Sequence, residues 1–316
     1  MTKQIFKPTT EQSMISLRST EIVDTLLDEA PAIIDGMIAR KETTKRTYKR
    51  NVVPFLEYIE RNGINVHSFA SFRKSLETLT GVSKATKNAY LMAAKAVLKE
   101  AVKLRVLPVD ITGNVPSFKT IRGHKKDGLT RAEVKRVFEY IQTIKRESTR
   151  IKLHTMFTLF AYEGLRQMEV QNLKCDDINL KEGYIRIMRK GNDEKERFFI
   201  TSQTLQALHE YIVYNKCTEG YIFHTKDNIH HPVTLRAIRK YFTCPKYGIF
   251  AKVGINGKSV HGIRHYNITE TLNITNGNLT LTRKRSGHSG LDMLVVYDDE
   301  RLSKSDVARI EAGLQL

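Results

Sequence analysis

The chain has 316 residues, 41% of them hydrophobic and 27% charged, with 52 lysines and arginines against 34 acidic groups and a formal net charge of +18. That is apolar material for one large or two ordinary domains. No run reaches the roughly 18–20 apolar residues of a membrane span, and residues 1–10 lack the apolar centre of a secretory signal. Cys175, Cys217 and Cys244 are odd in number and widely spaced, which excludes a disulfide framework and a Cys-x-x-Cys zinc site and sets the expectation of a reducing, cytoplasmic compartment with no membrane partner.

The charge is unevenly spread. Residues 1–38 carry three basic and six acidic groups, residues 39–126 carry 19 and six, and residues 127–316 carry 30 and 22. A surplus concentrated in fewer than 90 residues predicts a polyanionic partner, of which nucleic acid is the commonest. In chain order, Ile22, Val23, Leu26 and Leu27 predict a short helix stopped by Pro31. The pattern resumes at Ile33, Ile34, Met37 and Ile38, so 1–38 reads as an acidic helical extension without an assigned role. A basic helix follows, with Tyr48, Val52, Phe55 and Ile59 at helical spacing and Lys45, Arg46, Lys49 and Arg50 in its first turns. Pro54 predicts a kink or break in it.

From about Lys84 to Leu107, Tyr90, Ala93, Ala94, Val97, Ala101 and Leu104 share one stripe, while Lys84, Lys95, Lys99 and Lys103 lie roughly opposite. One face packs and the other can lie along phosphates. Residues 39–113 are therefore expected to form a helical unit that faces a polyanion. The Pro- and Gly-punctuated stretch from Pro108 to Gly128, with Arg122, His124, Lys125 and Lys126, predicts a linker placed at 114–128. Residues 129–316 open with a capping box, Thr130 and Glu133, ahead of Val134, Val137, Phe138 and Ile141. A helix over about 150–163 follows. Residues 184–188 and 198–200 then switch to a strand-like period, a hairpin with a charged tip. Helical patterns resume to the end, including Val307, Ile310 and Leu314 in a tail helix.

Two familiar motifs fail. Gly257-Lys258-Ser259 resembles the end of a P-loop, but Lys252 stands where its first glycine is required. His261 and His265 have the spacing of a zinc helix, but Gly262 replaces the catalytic glutamate. No metal and no cofactor is expected. What remains is a scattered cationic set: Gly164-Leu165-Arg166-Gln167-Met168-Glu169, Arg189-Lys190-Gly191-Asn192, His261-Gly262-Ile263-Arg264, Gly287-His288-Ser289, and Tyr297 nine residues after His288.

In these five pieces, in order and at ordinary spacings, the sequence resembles the tyrosine recombinases, the lambda-integrase family of site-specific recombinases, over about residues 127–301. The resemblance implies a mostly α protein: a helical, SAM-like core-binding domain over 39–113, which binds DNA, plus a mainly helical catalytic domain with a small antiparallel sheet. It implies cleavage and rejoining of duplex DNA through a 3′-phosphotyrosine, without metal or ATP. Tyr297 would be the nucleophile, Arg166 and Arg264 the phosphate clamps, His261 the base, Lys190 the acid for the departing 5′-oxygen, and His288 a further phosphate ligand. Guanidinium planes suit this work because they grip phosphate oxygens bidentately and stay charged. A homotetramer on synapsed DNA, with room for accessory DNA-bending or directionality proteins, is implied too.

Alternatives stay open for single residues. Arg166 could pair with Glu169 or with Asp176-Asp177. Lys190 could be an ordinary turn lysine, with Lys195 on the same hairpin tip. Tyr297 precedes an acidic run, and Tyr266 is a second tyrosine to consider. His265 reads as structural support and His230-His231 as a loop. The rival readings for the whole chain are a type IB topoisomerase, a non-catalytic DNA-binding regulator, though none of the six residues is missing, and a metal-dependent nuclease.

Overall fold

Apolar positions between residues 20 and 103 wind into four helices: α1 (Thr20–Asp35), α2 (Glu42–Asn62), α3 (Ser68–Thr78) and α4 (Lys84–Lys103). The computed structural model describes residues 20–120, 128–189, 192–287, 290 and 294. They belong to two units that divide at 121/122. In the first unit, α2 packs along both α1 and α4. Ala93, Ala94, Val97, Leu98 and Ala101 of α4 are buried, and the small side chains let α2 approach closely. Phe55 of α2 meets Phe69 and Phe72 of α3 edge-on, with ring centroids 6.3 and 5.1 Å apart.

The helices differ from the expectation in three ways. Pro31 does not stop α1, and of the kink or break expected at Pro54 the break does not occur; both prolines lie inside continuous helices. An interior proline costs about 3 kcal/mol. Each fully buried aliphatic or aromatic side chain returns about 1.5–3 kcal/mol, and each helix places two such residues after its proline: Ile33 and Ile34 in α1, Phe55 and Ile59 in α2. The third concerns the acidic segment. Leu26, Ala30, Ile33 and Ile34 are 0–3% exposed and belong to the same core as Val52, Phe55 and Val97, so α1 is a wall of the first unit. Charge marked a division at residue 38 where packing has none.

The lysine helix is shorter than expected, ending at Lys103 with Leu104 as an exposed cap residue. Beyond it, part of the stretch read as linker is fastened to the first unit. Phe118 exchanges two hydrogen bonds with the Asn88 side chain (2.8 and 2.9 Å), and the Arg73 guanidinium lies 4.5 Å over its ring.

The second unit comprises α5 (Arg131–Gln142), α6 (Glu147–Ala161), α7 (Gln167–Gln171), β1 (Ile178–Asn179), β2 (Tyr184–Met188), β3 (Lys195–Phe199), α8 (Ser202–Asn215), β4 (His224–Thr225), β5 (Asn228–Pro232), α9 (Leu235–Thr243), α10 (Ile249–Lys252), α11 (Val260–Ile274) and α12 (Leu279–Ser286). Thr130 caps α5, and both halves of the Thr130–Glu133 box are made. Helix α6 is buried on nearly every side from Thr155 to Ala161 and packs against α5, α7, α8 and α11. Strands β1-β2-β3 form an antiparallel sheet, with Ile185 opposite Phe198 and Met188 opposite Lys195. Ile185 and Ile187 point to the core. His230 and His231, expected in a loop, lie on the exposed strand β5. Among the described residues, no helix is long and apolar enough to cross a membrane.

Because α1 is part of a core, Ile34→Ala is expected to destabilise the protein by about 2–5 kcal/mol, the usual cost of emptying a buried isoleucine site. Urea unfolding followed by circular dichroism measures it. A change within about 0.5 kcal/mol, as for surface positions, would mean that α1 packs loosely.

Candidate active site

Arg166, Arg189 and Arg264 of the second unit converge on the C-terminus of α12. A helix end leaves carbonyls without intrahelical donors and carries partial negative charge. Here those carbonyls are met by guanidinium groups. Arg166 Nη2 donates to Gly287 O at 3.2 Å. Arg264 Nη2 donates to Ser286 O at 2.7 Å, and its Nη1 donates to Gly164 O. Arg189 Nη1 and Nη2 reach Ser286 O and Arg285 O, each at 3.5 Å. Two arginines from distant parts of the sequence, Arg166 and Arg264, thus hold adjacent carbonyls.

The helix can end this way because residue 287 is glycine. Its φ is +63°, the left-handed turn that closes the helix through Gly287 N to Arg283 O at 2.8 Å. A Cβ there would stand 2.6 Å from the Arg189 guanidinium. Gly164 answers a similar need: φ is +62°, and a Cβ would overlap the Asn267 amide oxygen. Asn267 in turn donates to Ala161 O and Tyr162 O, 3.0 Å each, tying α11 to the end of α6. Those bonds fix the turn from which Arg166 departs.

Buried carboxylates complete the cluster. Glu169, 5% exposed, accepts from the Arg166 backbone at 2.7 Å and from Arg166 Nη1 at 2.8 Å, and lies 3.6 Å from Arg189. Glu163 is fully buried. It accepts from Thr201 N, Thr201 Oγ1 and Thr204 Oγ1 at 2.9, 2.8 and 2.6 Å, and pairs with Arg285. Glu196 holds Arg189 Nε at 2.8 Å. Among the described residues of the cluster, four guanidinium groups therefore face three carboxylates, a surplus of positive charge suited to an anion.

Of the residues expected to carry chemistry, Arg166, His261 and Arg264 are described, while Lys190, His288 and Tyr297 lie outside the described residues. Arg264 is almost wholly buried. Arg166 keeps part of its side chain in solvent, and a guanidinium has five donors to distribute, so its pairing with Glu169 leaves N–H groups for a phosphate. His261 stands one turn before Arg264 on α11, exposed to solvent. The pairing of Arg166 with Asp176-Asp177 is not made, because Asp177 is taken by Lys195 at 2.6 and 2.7 Å. Tyr266 packs against the core, where burial, and then Glu270, push its phenol above the ordinary value. His265 is buried against Gly128, where Leu129 N donates to Gly262 O at 3.0 Å and Lys258 Nζ to Gly128 O at 2.6 Å.

Sequence reasoning left Glu163, Arg189 and Arg285 unassigned. Glu163 directly precedes the Gly164–Glu169 motif and Arg189 opens the Arg189–Asn192 motif; nothing in the local sequence singles out Arg285. Among the basic residues of the first unit, Lys45 and Lys49 are held by Asp35 at the end of α1, through Asp35 O at 2.8 Å and Oδ2 at 2.6 Å. Arg46, Arg50, Lys84 and Lys99 are exposed or partly so, and Lys95 is half-buried.

The profile of the phage integrase family matches residues 128–303. The chain is 28% identical over 180 residues to a tyrosine recombinase of Pseudothermotoga lettingae, covering 56% of this chain and 57% of that protein. It is 26% identical over 248 residues to the tyrosine recombinase XerA of Thermococcus kodakarensis, covering 76% and 79%. The chain thus spans little more than half the length of the first relative. In fold it is similar to XerH site-specific recombinase bound to palindromic difH substrate (TM-score 0.67, 18% identity, 90% of this chain and 84% of that one). It is likewise similar to the Tn1549 transposon integrase in complex with transposon right end DNA (TM-score 0.66, 16% identity, 92% and 99%). The small antiparallel sheet within a mainly helical second unit is the architecture expected from the sequence.

Gly287→Ala is expected to cost about 1–2 kcal/mol from backbone conformation alone, with the crowding of Arg189 in addition. Denaturant titration reads the loss. Unchanged stability would show that the turn after α12 relaxes freely.

Proposed function

The chain belongs to the phage integrase family, and from that premise we propose that it is a site-specific DNA recombinase that breaks and rejoins duplex DNA through a covalent tyrosyl intermediate. The observation that carries this reading is the convergence of Arg166 and Arg264 on adjacent carbonyls of Gly287 and Ser286, with His261 one turn away on α11. Preorganised cations of this kind stabilise charge that develops on phosphoryl oxygens and need no reorganisation at the moment of reaction.

The steps balance as a transesterification. Tyr297 Oη attacks phosphorus and gives its proton to His261. The P–O5′ bond breaks as the P–Oη bond forms, and Lys190 gives a proton to the departing 5′-oxygen. His288 and the two arginines hold the remaining oxygens. The phosphotyrosine conserves the phosphodiester's energy, so a 5′-hydroxyl of a partner strand can reverse the step without ATP. In this reading residues 39–113 supply backbone contacts to the DNA, residues 129–316 supply the chemistry, and four copies assemble on two synapsed sites in the cytoplasm. Accessory DNA-bending or directionality proteins have a place in that assembly.

The decisive test is trapping covalent protein–DNA on nicked suicide substrates drawn from the gene's own flanks. The wild type is expected to form the adduct, and Tyr297→Phe to bind DNA normally and form none. An adduct in the phenylalanine variant would place the nucleophile elsewhere. Relaxation of supercoils without exchange between two sites would favour a topoisomerase instead. A second expectation concerns electrostatics. Removing one cation that neutralises a phosphate lowers the slope of log affinity against log salt by about 0.9, so Arg46→Ala with Arg50→Ala is expected to flatten it by up to about 1.8. Lys45→Ala with Lys49→Ala is expected to flatten it less, because Asp35 already neutralises part of that charge. Equal slopes for all variants and the wild type would make this run a solvated face.

A further inference from the structure

Arg189 directly follows β2 and is 4% exposed. A guanidinium is buried only where several partners replace its water, and its partners here come from different elements. Glu196 on β3 accepts from Nε at 2.8 Å. Glu169 on α7, the carboxylate that also holds Arg166, lies 3.6 Å from Nη1. The terminal carbonyls of α12 lie 3.5 Å from both Nη atoms. The Phe198 ring on β3 stands 4.8 Å from its Cζ. The backbone is held too, since Asn192 N donates to Arg189 O at 3.1 Å.

The position of this knot in the chain adds a second meaning. Arg189 immediately precedes Lys190, and the turn that ends α12 at Gly287 immediately precedes His288. One buried side chain therefore ties the root of the hairpin that carries the acid to the helix end that the phosphate-binding arginines grip. We propose that Arg189 is a positioning residue for strand cleavage, which fixes the hairpin root so that Lys190 reaches the departing 5′-oxygen of a phosphate held by Arg166 and Arg264. This rests on the assignment of Lys190 as the acid. In this reading Arg189 acts through Lys190 and not on the DNA directly, its own partners being protein groups.

The experiment compares single-turnover cleavage by the full chain on a normal suicide duplex and on one with a 5′-bridging phosphorothiolate, whose thiolate leaves unprotonated. Lys190→Ala and Arg264→Ala are run alongside. Arg189→Met is expected to cleave the normal duplex about tenfold more slowly or worse, a fraction of the roughly 10²–10⁴ that acid–base catalysis contributes. On the phosphorothiolate it is expected to return nearly to the wild-type rate, with Arg189→Lys between the two. Arg264→Ala should be slow on both. An equal defect of Arg189→Met on the two substrates overturns the proposal whatever Lys190→Ala does, because a side chain that merely stabilises the fold would not discriminate between leaving groups. Rescue of Arg189→Met without rescue of Lys190→Ala would keep Arg189 as the positioning residue and move the acid to another hairpin residue. Should Arg189→Met fail to fold, Glu196→Gln, which keeps the guanidinium and weakens its anchor on β3, is read by the same criterion.

Discussion

The second unit depends on one constraint: guanidinium groups taken out of water must each find acceptors. The solution in this chain is the C-terminus of a short helix. Eight residues of α12 end in carbonyls that have no helical donors of their own, and Arg166, Arg189 and Arg264 supply them. Glu163 and Glu169 supply the balancing charge from the stretch that follows α6. The arrangement binds five distant segments, 163–169, 189, 196, 264 and 285–287, chiefly through polar bonds. Removing one member leaves another buried and uncompensated, which is why such clusters rigidify rather than simply stabilise.

The same cluster holds Arg166 and Arg264 through protein groups. Arg264 has both terminal nitrogens committed to backbone oxygens, those of Gly164 and Ser286, and is almost wholly buried. Arg166 is less committed and more exposed. The pair thus combines a buried cation with a partly exposed one, a division that suits the phosphate chemistry proposed above.

Much of this was legible in the sequence, and the illegible part has physical reasons. Thr130–Glu133 announced its helix because a capping box is a local device. Ile185 and Ile187 announced a strand because alternation is local too. Arg166 and Arg264 could be named because they sit in spaced motifs. Arg189 stands in a motif that gives it no role, and Arg285 stands in none, because what defines them is a helix end about a hundred residues away from Arg189 and a glutamate 122 residues away from Arg285. The prolines misled in the other direction: local rules stop a helix at Pro31 and break one at Pro54, but burial of Ile33, Ile34, Phe55 and Ile59 outweighs the loss. Charge likewise separated residues 1–38 from the rest, although Asp35 pairs with Lys49 and the apolar face of α1 lies in the shared core.

That last arrangement bears on how the protein can be divided. A fragment cut where the acidic and basic segments meet would lose Leu26, Ala30, Ile33 and Ile34, and the faces of α2 and α4 that they cover would turn to solvent. A contiguous apolar strip of this kind drives self-association, and here it would sit among the lysines and arginines of a strongly basic surface. Such a fragment would aggregate and adhere to any polyanion present. The acidic helix α1 is therefore the cover of an apolar strip within the basic unit.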